Sequence, residues 1–163
     1  MRLFFAVWLP PATARALADW ARAAARESGG RATAEEKIHL TLAFLGEAKP
    51  EKAIAGARRV RGQLHQLPVQ KAVYWKQNSI IWAGPQDTPP EMLELAENLQ
   101  MQLYLQEFIL ERRPFAAHVT LVRKAREPRQ LPELPRVEWP VDEFLLVRSI
   151  AGRYAPLERF PMA

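Results

Sequence analysis

His39-Leu40-Thr41-Leu42 and His118-Val119-Thr120-Leu121 are near-copies of one tetrapeptide, set in the two halves of a 163-residue chain with only three histidines. Residues i and i+2 of a β-strand point to the same face. Each copy therefore carries an imidazole and a hydroxyl on one side and two aliphatic side chains on the other. The aliphatic side predicts a face turned to a core, and the polar side a face open to a ligand.

Outward from these tetrapeptides, Lys37 to Leu45 reads as one strand closed by Gly46, and Phe115 to Val122 as the other. Leu3 to Leu9 is an apolar run stopped by Pro10-Pro11, the pattern of a buried strand. Ala14, Leu17, Ala18, Ala21 and Ala25 form a stripe that predicts a helix over Ala12–Arg26, ended by Gly29-Gly30. A second helix is expected from Pro50 to roughly His65, with Ile54, Ala57, Val60 and Leu64 inward. Val69 to Lys76 and Ser79 to Ala83 predict a hairpin around Gln77-Asn78, and Glu91 to Phe108 a third helix. Gly84–Pro90 and Glu127–Pro135 read as loops, and two final strands, Asp142–Ile150 and Arg153–Phe160, meet at Gly152. Helices alternate with strands, but hairpins intervene, so the class is α+β and not a doubly wound parallel sheet. Residues 1–163 are expected to form one domain of two lobes, each placing one tetrapeptide strand on a shared cleft.

Composition narrows the field. Hydrophobic residues make up 48% and charged residues 25%, the profile of a folded globular protein. No apolar run approaches the ~18 residues of a membrane helix, and the first strand reaches its prolines too soon for a leader peptide. Without cysteine there are no disulfides, thiolate metal sites or cysteine nucleophiles, and a cytoplasmic location is expected. The formal charge of +5 tilts the partner toward a polyanion such as RNA or a nucleotide, the plain alternative being a solvated basic surface. The Arg58-Arg59 and Arg112-Arg113 pairs carry the same two readings.

Histidine titrates near 6.5, so a pair holds one charged and one neutral ring around neutral pH. In-line displacement at a phosphodiester needs a base beside the attacking water and an acid beside the departing oxygen, which His39 and His118 supply. Thr41 and Thr120 offer hydrogen bonds to the non-bridging oxygens, and Arg123 a cation. On a regular strand, however, Arg123 shares a face with Leu121, opposite the histidine. It reaches phosphate only past the strand's end or at a bulge. The rival reading, a metal site, needs a third ligand, and neither H-x-H nor H-E-x-x-H occurs. No metal and no cofactor are expected. His65 has no partner motif and reads as a surface or capping residue. Trp8, Trp75, Trp82 and Trp139 suit either base stacking or the core. Gly29-Gly30 is a helix stop, not a phosphate loop.

At these residues the chain resembles the two-histidine (2H) phosphoesterase superfamily, and within it the RNA 2′,3′-cyclic phosphodiesterases also called 2′-5′ RNA ligases. The resemblance runs almost end to end: Arg2-Leu3-Phe4-Phe5-Ala6-Val7, Ile38 to Gly46, Phe115 with His118 to Arg123, and Phe144 to Ser149 followed by Tyr154 and Leu157. It departs at Ala117, where the family usually has proline, and at the shortened turn Ala151-Gly152. The resemblance implies two pseudo-symmetric lobes with antiparallel sheets lining a central cleft and helices outside. It also implies metal-independent hydrolysis of a terminal 2′,3′-cyclic phosphate to a 2′-phosphate, with 2′-5′ RNA ligation as the reverse path. His39 would then protonate the leaving 3′ oxygen, His118 would take a proton from water, and Thr41, Thr120 and Arg123 would hold the phosphate. The expected partners are RNA ends or nucleotides with a 2′,3′-cyclic phosphate, with no membrane, and the chain acting as a monomer. The alternatives are another 2H activity on small cyclic nucleotides or ADP-ribose cyclic phosphate, and a non-catalytic RNA-end binding module.

Overall fold

The computed structural model describes residues 1–111 and 113–163. Arg112, half of one arginine pair, lies outside the described residues. The strands are β1 (Arg2–Trp8), β2 (Arg31–Ala32), β3 (His39–Glu47), β4 (His65–Val69), β5 (Lys71–Trp75), β6 (Ile80–Gly84), β7 (Val119–Arg123), β8 (Val137–Val141), β9 (Glu143–Ile150) and β10 (Arg153–Pro161). Among the described residues three α-helices, α1 (Pro11–Ser28), α2 (Pro50–Ala57) and α3 (Pro90–Leu105), each start at a proline, whose missing N–H costs nothing in a first turn. The fold is α+β, as the alternation of patterns predicts.

One antiparallel sheet runs β10-β9-β1-β3-β7-β6-β5, with β2 beside β7. Among the described residues its two halves touch through a single register pair, Leu40 opposite Val119. Both residues are buried in the main core, which also takes the inner stripes of α1 and α3. Truncating Leu40 to alanine would cost about 2–5 kcal/mol and loosen the joint between the halves.

The two tetrapeptide strands share a feature that alternation alone does not predict. Between β1 and β3 the pairing jumps from Phe5–Ala43 to Ala6–Thr41, leaving Leu42 as an extra residue. Between β6 and β7 it jumps from Ile81–Val122 to Trp82–Thr120, leaving Leu121 extra. The fourth residue of each tetrapeptide is thus a bulge. Burial repeats accordingly: in 39–44 and in 118–123 the first and third residues are half-buried, the second, fourth and fifth buried, and the sixth exposed. A bulge bends its strand and ends regular pairing, and β3 leaves β7 at this point.

Local departures are informative. The second helix stops at Ala57, not near His65, and His65–Val69 forms β4, which pairs with β8. The 3.6-residue stripe ends there because His65, Leu67 and Val69 alternate with Gln66 and Pro68, a period of two. His65 is accordingly not at the surface: it is 8% exposed, and its Nδ1–H donates to the Gln63 carbonyl at 2.8 Å. The second tetrapeptide strand begins at Val119, with His118 just before it. Strands β4 and β8 have no counterpart in the sequence pattern read above. No described helix is long and apolar enough to cross a membrane.

Candidate active site

Leu40 opposite Val119 in an antiparallel pair sets His39 across from Thr120 and Thr41 across from His118. The four side chains form the corners of a rectangle on one face, with the histidines on a diagonal. Diagonal neighbours on a sheet stand about 7–8 Å apart, which leaves room for one phosphate between the rings. All four line a single cavity of about 390 Å³, together with Arg31, Lys37, Arg123 and Lys124. No aspartate or glutamate is among the described residues that line it.

Arg123 reaches this cavity because of the Leu121 bulge. The extra residue flips the parity of the strand, so the sixth residue of the segment joins the face of the first and third. Two adjacent aliphatic residues, Leu121-Val122, are the sequence trace of that flip.

Both rings are oriented by the chain itself. His39 Nδ1–H donates to the Lys37 carbonyl at 2.6 Å, and His118 Nδ1–H donates to the Ala116 carbonyl at 2.9 Å. A carbonyl only accepts, so in each neutral ring Nε2 is the basic nitrogen. In His39, Nε2 accepts from the Thr41 hydroxyl at 3.0 Å. Protonation of that ring reverses the donor.

The beds of the two rings differ. His39 stacks on Trp8, with centroids 4.8 Å apart and planes 12° from parallel, and Phe4 and the edge of Tyr154 close around it. Phe4, Ala6, Leu145 and Val147 make a small second core beneath. His118 meets Trp82 and Trp75 edge-on at 5.8 and 6.5 Å. Burial in the aromatic bed pushes the His39 pKa below its ordinary 6.5. The Lys37 carbonyl pulls it up, and the positive charges of Arg123 and His118 push it further down. In an NMR titration of the ligand-free protein, the His39 ring should therefore titrate below 6.5. Arg123→Gln should raise that midpoint, because removing a nearby cation favours the charged ring. A midpoint that stays put in the variant would remove Arg123 from the electrostatics of the site.

Gly84, the last residue of β6, lies against the segment that carries His118. A Cβ there would stand 2.7 Å from the Ala117 carbonyl oxygen, backbone that cannot step aside. Gly84→Ala should displace His118 and lower kcat about tenfold or more, since a shift near 1 Å in a positioned group carries losses up to about 10². Unchanged kcat with a normal melting temperature would show that the approach is not needed.

The structure thus brings together His39, His118, Thr41, Thr120 and Arg123, and leaves His65 outside. Of the four tryptophans singled out in the sequence, Trp8, Trp75 and Trp82 flank the histidines, while Trp139 is buried in β8. Sequence reasoning missed Lys37, whose Nζ lies 5.6 Å from the Tyr154 ring centroid, as well as Arg31 and Lys124. Lys37 is two residues before His39, and that spacing was the available signal. Arg58, Arg59 and Arg113 are exposed and line no part of this cavity.

Comparison with known proteins bears on the same residues. The chain is 35% identical to an RNA 2′,3′-cyclic phosphodiesterase of Escherichia coli, over 99% of this chain and 96% of that one. This chain belongs to the LigT-like phosphoesterase family. The family pattern, described as LigT like Phosphoesterase, matches residues 7–82. An RNA 2′,3′-cyclic phosphodiesterase of Thermus thermophilus is 32% identical, with 99% of this chain and 90% of that one covered. In three dimensions, the crystal structure of E. coli LigT complexed with 3′-AMP superposes with a TM-score of 0.89 at 32% identity, over 99% of this chain and 97% of that chain. Family membership extends the likeness beyond the tetrapeptides to the whole sheet.

Proposed function

We propose that this chain hydrolyses the terminal 2′,3′-cyclic phosphate of RNA or nucleotides to a 2′-phosphate, with His39 and His118 as acid and base. The observation that carries this reading is the diagonal pair of imidazoles across one cationic cavity, each with a threonine opposite. The names of the relatives point the same way.

The cyclic phosphate sits between the rings. His118, with Nδ1–H tied to backbone, takes a proton from water through Nε2 as that oxygen attacks phosphorus. His39 gives the proton on Nε2 to the departing 3′ oxygen. Its depressed pKa makes the charged ring a strong acid, and the anionic phosphate offsets the repulsion from Arg123 and His118. Thr41 and Thr120 donate to the non-bridging oxygens, and Arg123 neutralises the charge that builds there. The same displacement with a 5′-hydroxyl in place of water joins the two ends through a 2′-5′ bond: the 5′ oxygen–phosphorus bond forms as the phosphorus–3′ oxygen bond breaks.

Positive groups around the phosphate fill the role of a metal ion, and a cavity of cations without carboxylates is a poor host for one. Hydrolysis should accordingly persist unchanged after chelation, and loss restored by zinc would overturn this part of the proposal. Both tetrapeptides come from one chain, so residues 1–163 act as one bilobal unit and a monomer suffices, acting on RNA in the cytoplasm.

The decisive assay is a panel of nucleoside 2′,3′-cyclic phosphates, cyclic-ended oligonucleotides and ADP-ribose cyclic phosphate, with 2′- and 3′-phosphate products resolved. Release of 2′-phosphate from RNA ends is expected. Tight RNA binding without product would instead establish a binding module.

A further inference from the structure

The cavity between the histidines holds more positive charge than the reacting phosphate can use. Arg31, Lys37, Arg123 and Lys124 line it, with no carboxylate among its described lining residues. A cyclic phosphate is a diester with one negative charge, which Arg123 and the charged His39 ring already answer. Arg31, Lys37 and Lys124 remain. Among the described residues none of these three takes part in an ion pair. The two carboxylates just before Lys37 are turned elsewhere: Glu35 approaches Arg15 of α1 at 4.0 Å, and Glu36 lines a separate cavity.

Topology gathers these cations at one edge of the rectangle. Leu40 opposite Val119 sets His39 across from Thr120, so the chain before His39 and the chain after Thr120 leave in the same direction. Lys37 lies on the first segment, and Arg123 and Lys124 lie on the second. Arg31 comes from β2, directly across from Arg123. Like charges so placed repel and destabilise a sheet. Lys124 holds φ at 53°, in the left-handed region, a break in extended geometry that lets two consecutive cations line one cavity. The end of β2 is fixed against β7 by Thr33, whose N–H donates to the Leu121 carbonyl at 2.8 Å and whose hydroxyl donates to the Thr120 carbonyl at 3.1 Å. The cations are thus held together before any anion arrives.

We propose that Arg31, Lys37 and Lys124 form a subsite for a second phosphate, the one on the 5′ oxygen of the nucleoside that bears the cyclic phosphate. The inference rests on the proposed hydrolysis and deepens it, because it names a second group of the substrate that the cavity reads.

On a strand ending in a 2′,3′-cyclic phosphate, the 5′ phosphate is the nearest further negative charge, one ribose away. Bases and ribose are neutral at pH 7, so only a phosphate can answer the surplus cations. In a strand that group is a diester, and in a nucleotide a monoester. Both present unesterified oxygens that ammonium and guanidinium groups bind. At about 390 Å³ the cavity has the size of a small-molecule site and is larger than one phosphate fills.

The test compares three substrates on the full chain. They are adenosine 2′,3′-cyclic phosphate, the same compound with a 5′-phosphate, and the dinucleotide in which a second adenosine is joined through that phosphate. The 5′-phosphorylated compound should show kcat/KM about tenfold above the first, carried by KM, the low end of what a cleft lined by one sign of charge supplies. An equal gain with the dinucleotide assigns the subsite to the diester of a strand, and a gain confined to the monoester assigns it to a terminal phosphate. Arg31→Gln, Lys37→Gln and Lys124→Gln should each lower the ratio between the first two substrates about threefold, and the triple variant should bring it to about one. The ratio is taken within each protein, so effects on folding or on the common chemical step cancel. Arg58→Gln removes an exposed cation that lines no part of the cavity and should leave the ratio unchanged.

A wild-type ratio near one overturns the subsite, while hydrolysis of the unphosphorylated compound, and with it the proposed function, stands. A gain with the dinucleotide alone also overturns it, since the added nucleoside would then be what binds. A ratio that survives the triple variant overturns it as well, because the three cations would then serve the reacting phosphate. A loss in Arg58→Gln as large as in Arg31→Gln overturns it in favour of net charge. Absence of hydrolysis of every substrate by the wild-type protein overturns the function and the subsite together.

Discussion

His118→Ala should lower kcat for 2′,3′-cyclic phosphate hydrolysis by about 10²- to 10⁴-fold, and His39→Ala by a similar factor, the usual range for a positioned acid or base. A loss of about 10³-fold corresponds to about 4 kcal/mol of transition-state stabilisation. The two rings serve one concerted transfer, so the double variant should fall little below the worse single one. His65→Ala is the control: that ring is buried beside β8, away from the site cavity, so it should cost stability and leave kcat nearly intact. Steady-state rates alongside thermal melts separate the two effects. Full turnover by the His118→Ala protein would end the two-histidine mechanism. Because one ring must be charged and the other neutral, kcat/KM should also be bell-shaped in pH. Arg123→Gln should move the limb set by His39 upward, in step with the NMR midpoint.

Thr120→Val and Thr41→Val should each lower kcat by about 10²-fold, the lower end of what a donor aimed at developing charge supplies. Valine keeps the β-branch that suits a strand, so the loss reports the hydroxyl and not the backbone. Thr41 carries a second role, because its hydroxyl contacts His39 Nε2 at 3.0 Å. Thr41→Val should therefore shift the His39 titration as well as kcat, whereas Thr120→Val should change kcat with a smaller effect on that ring. Thr→Ser at either position restores most of the rate if the hydroxyl is the active group. A serine variant as slow as valine would show that the methyl packing matters instead.

Much of this site was legible from local pattern. The alternation His39-Leu40-Thr41 and His118-Val119-Thr120 places polar and apolar groups on opposite faces of any extended strand, whatever the surrounding fold. The stripes of the first and third helices, the hairpin at Gln77-Asn78 and the turn at Gly152 are equally local, and all appear where the residues predict them. Arg123 shows where local reasoning stops. Regular alternation puts it on the wrong face, and only the Leu121 bulge, fixed by the register of β7 against β6, turns it inward. His65 shows the converse error, a residue that reads as the exposed end of the second helix but starts a strand and is buried where it pairs with Val141 of β8.

Residue order alone therefore determined the class of fold, and that His39 and Thr41, like His118 and Thr120, share one face of their segment, since side-chain direction repeats every two or 3.6 residues without outside help. Tertiary structure decided that the two halves meet at Leu40 and Val119, that bulges aim Arg123 and Phe44, and that Trp8, Tyr154 and Lys37 surround one histidine. Those outcomes depend on pairings between segments far apart in the chain, whose register is set by packing over the whole core; a local trace such as Leu121-Val122 does not fix it alone.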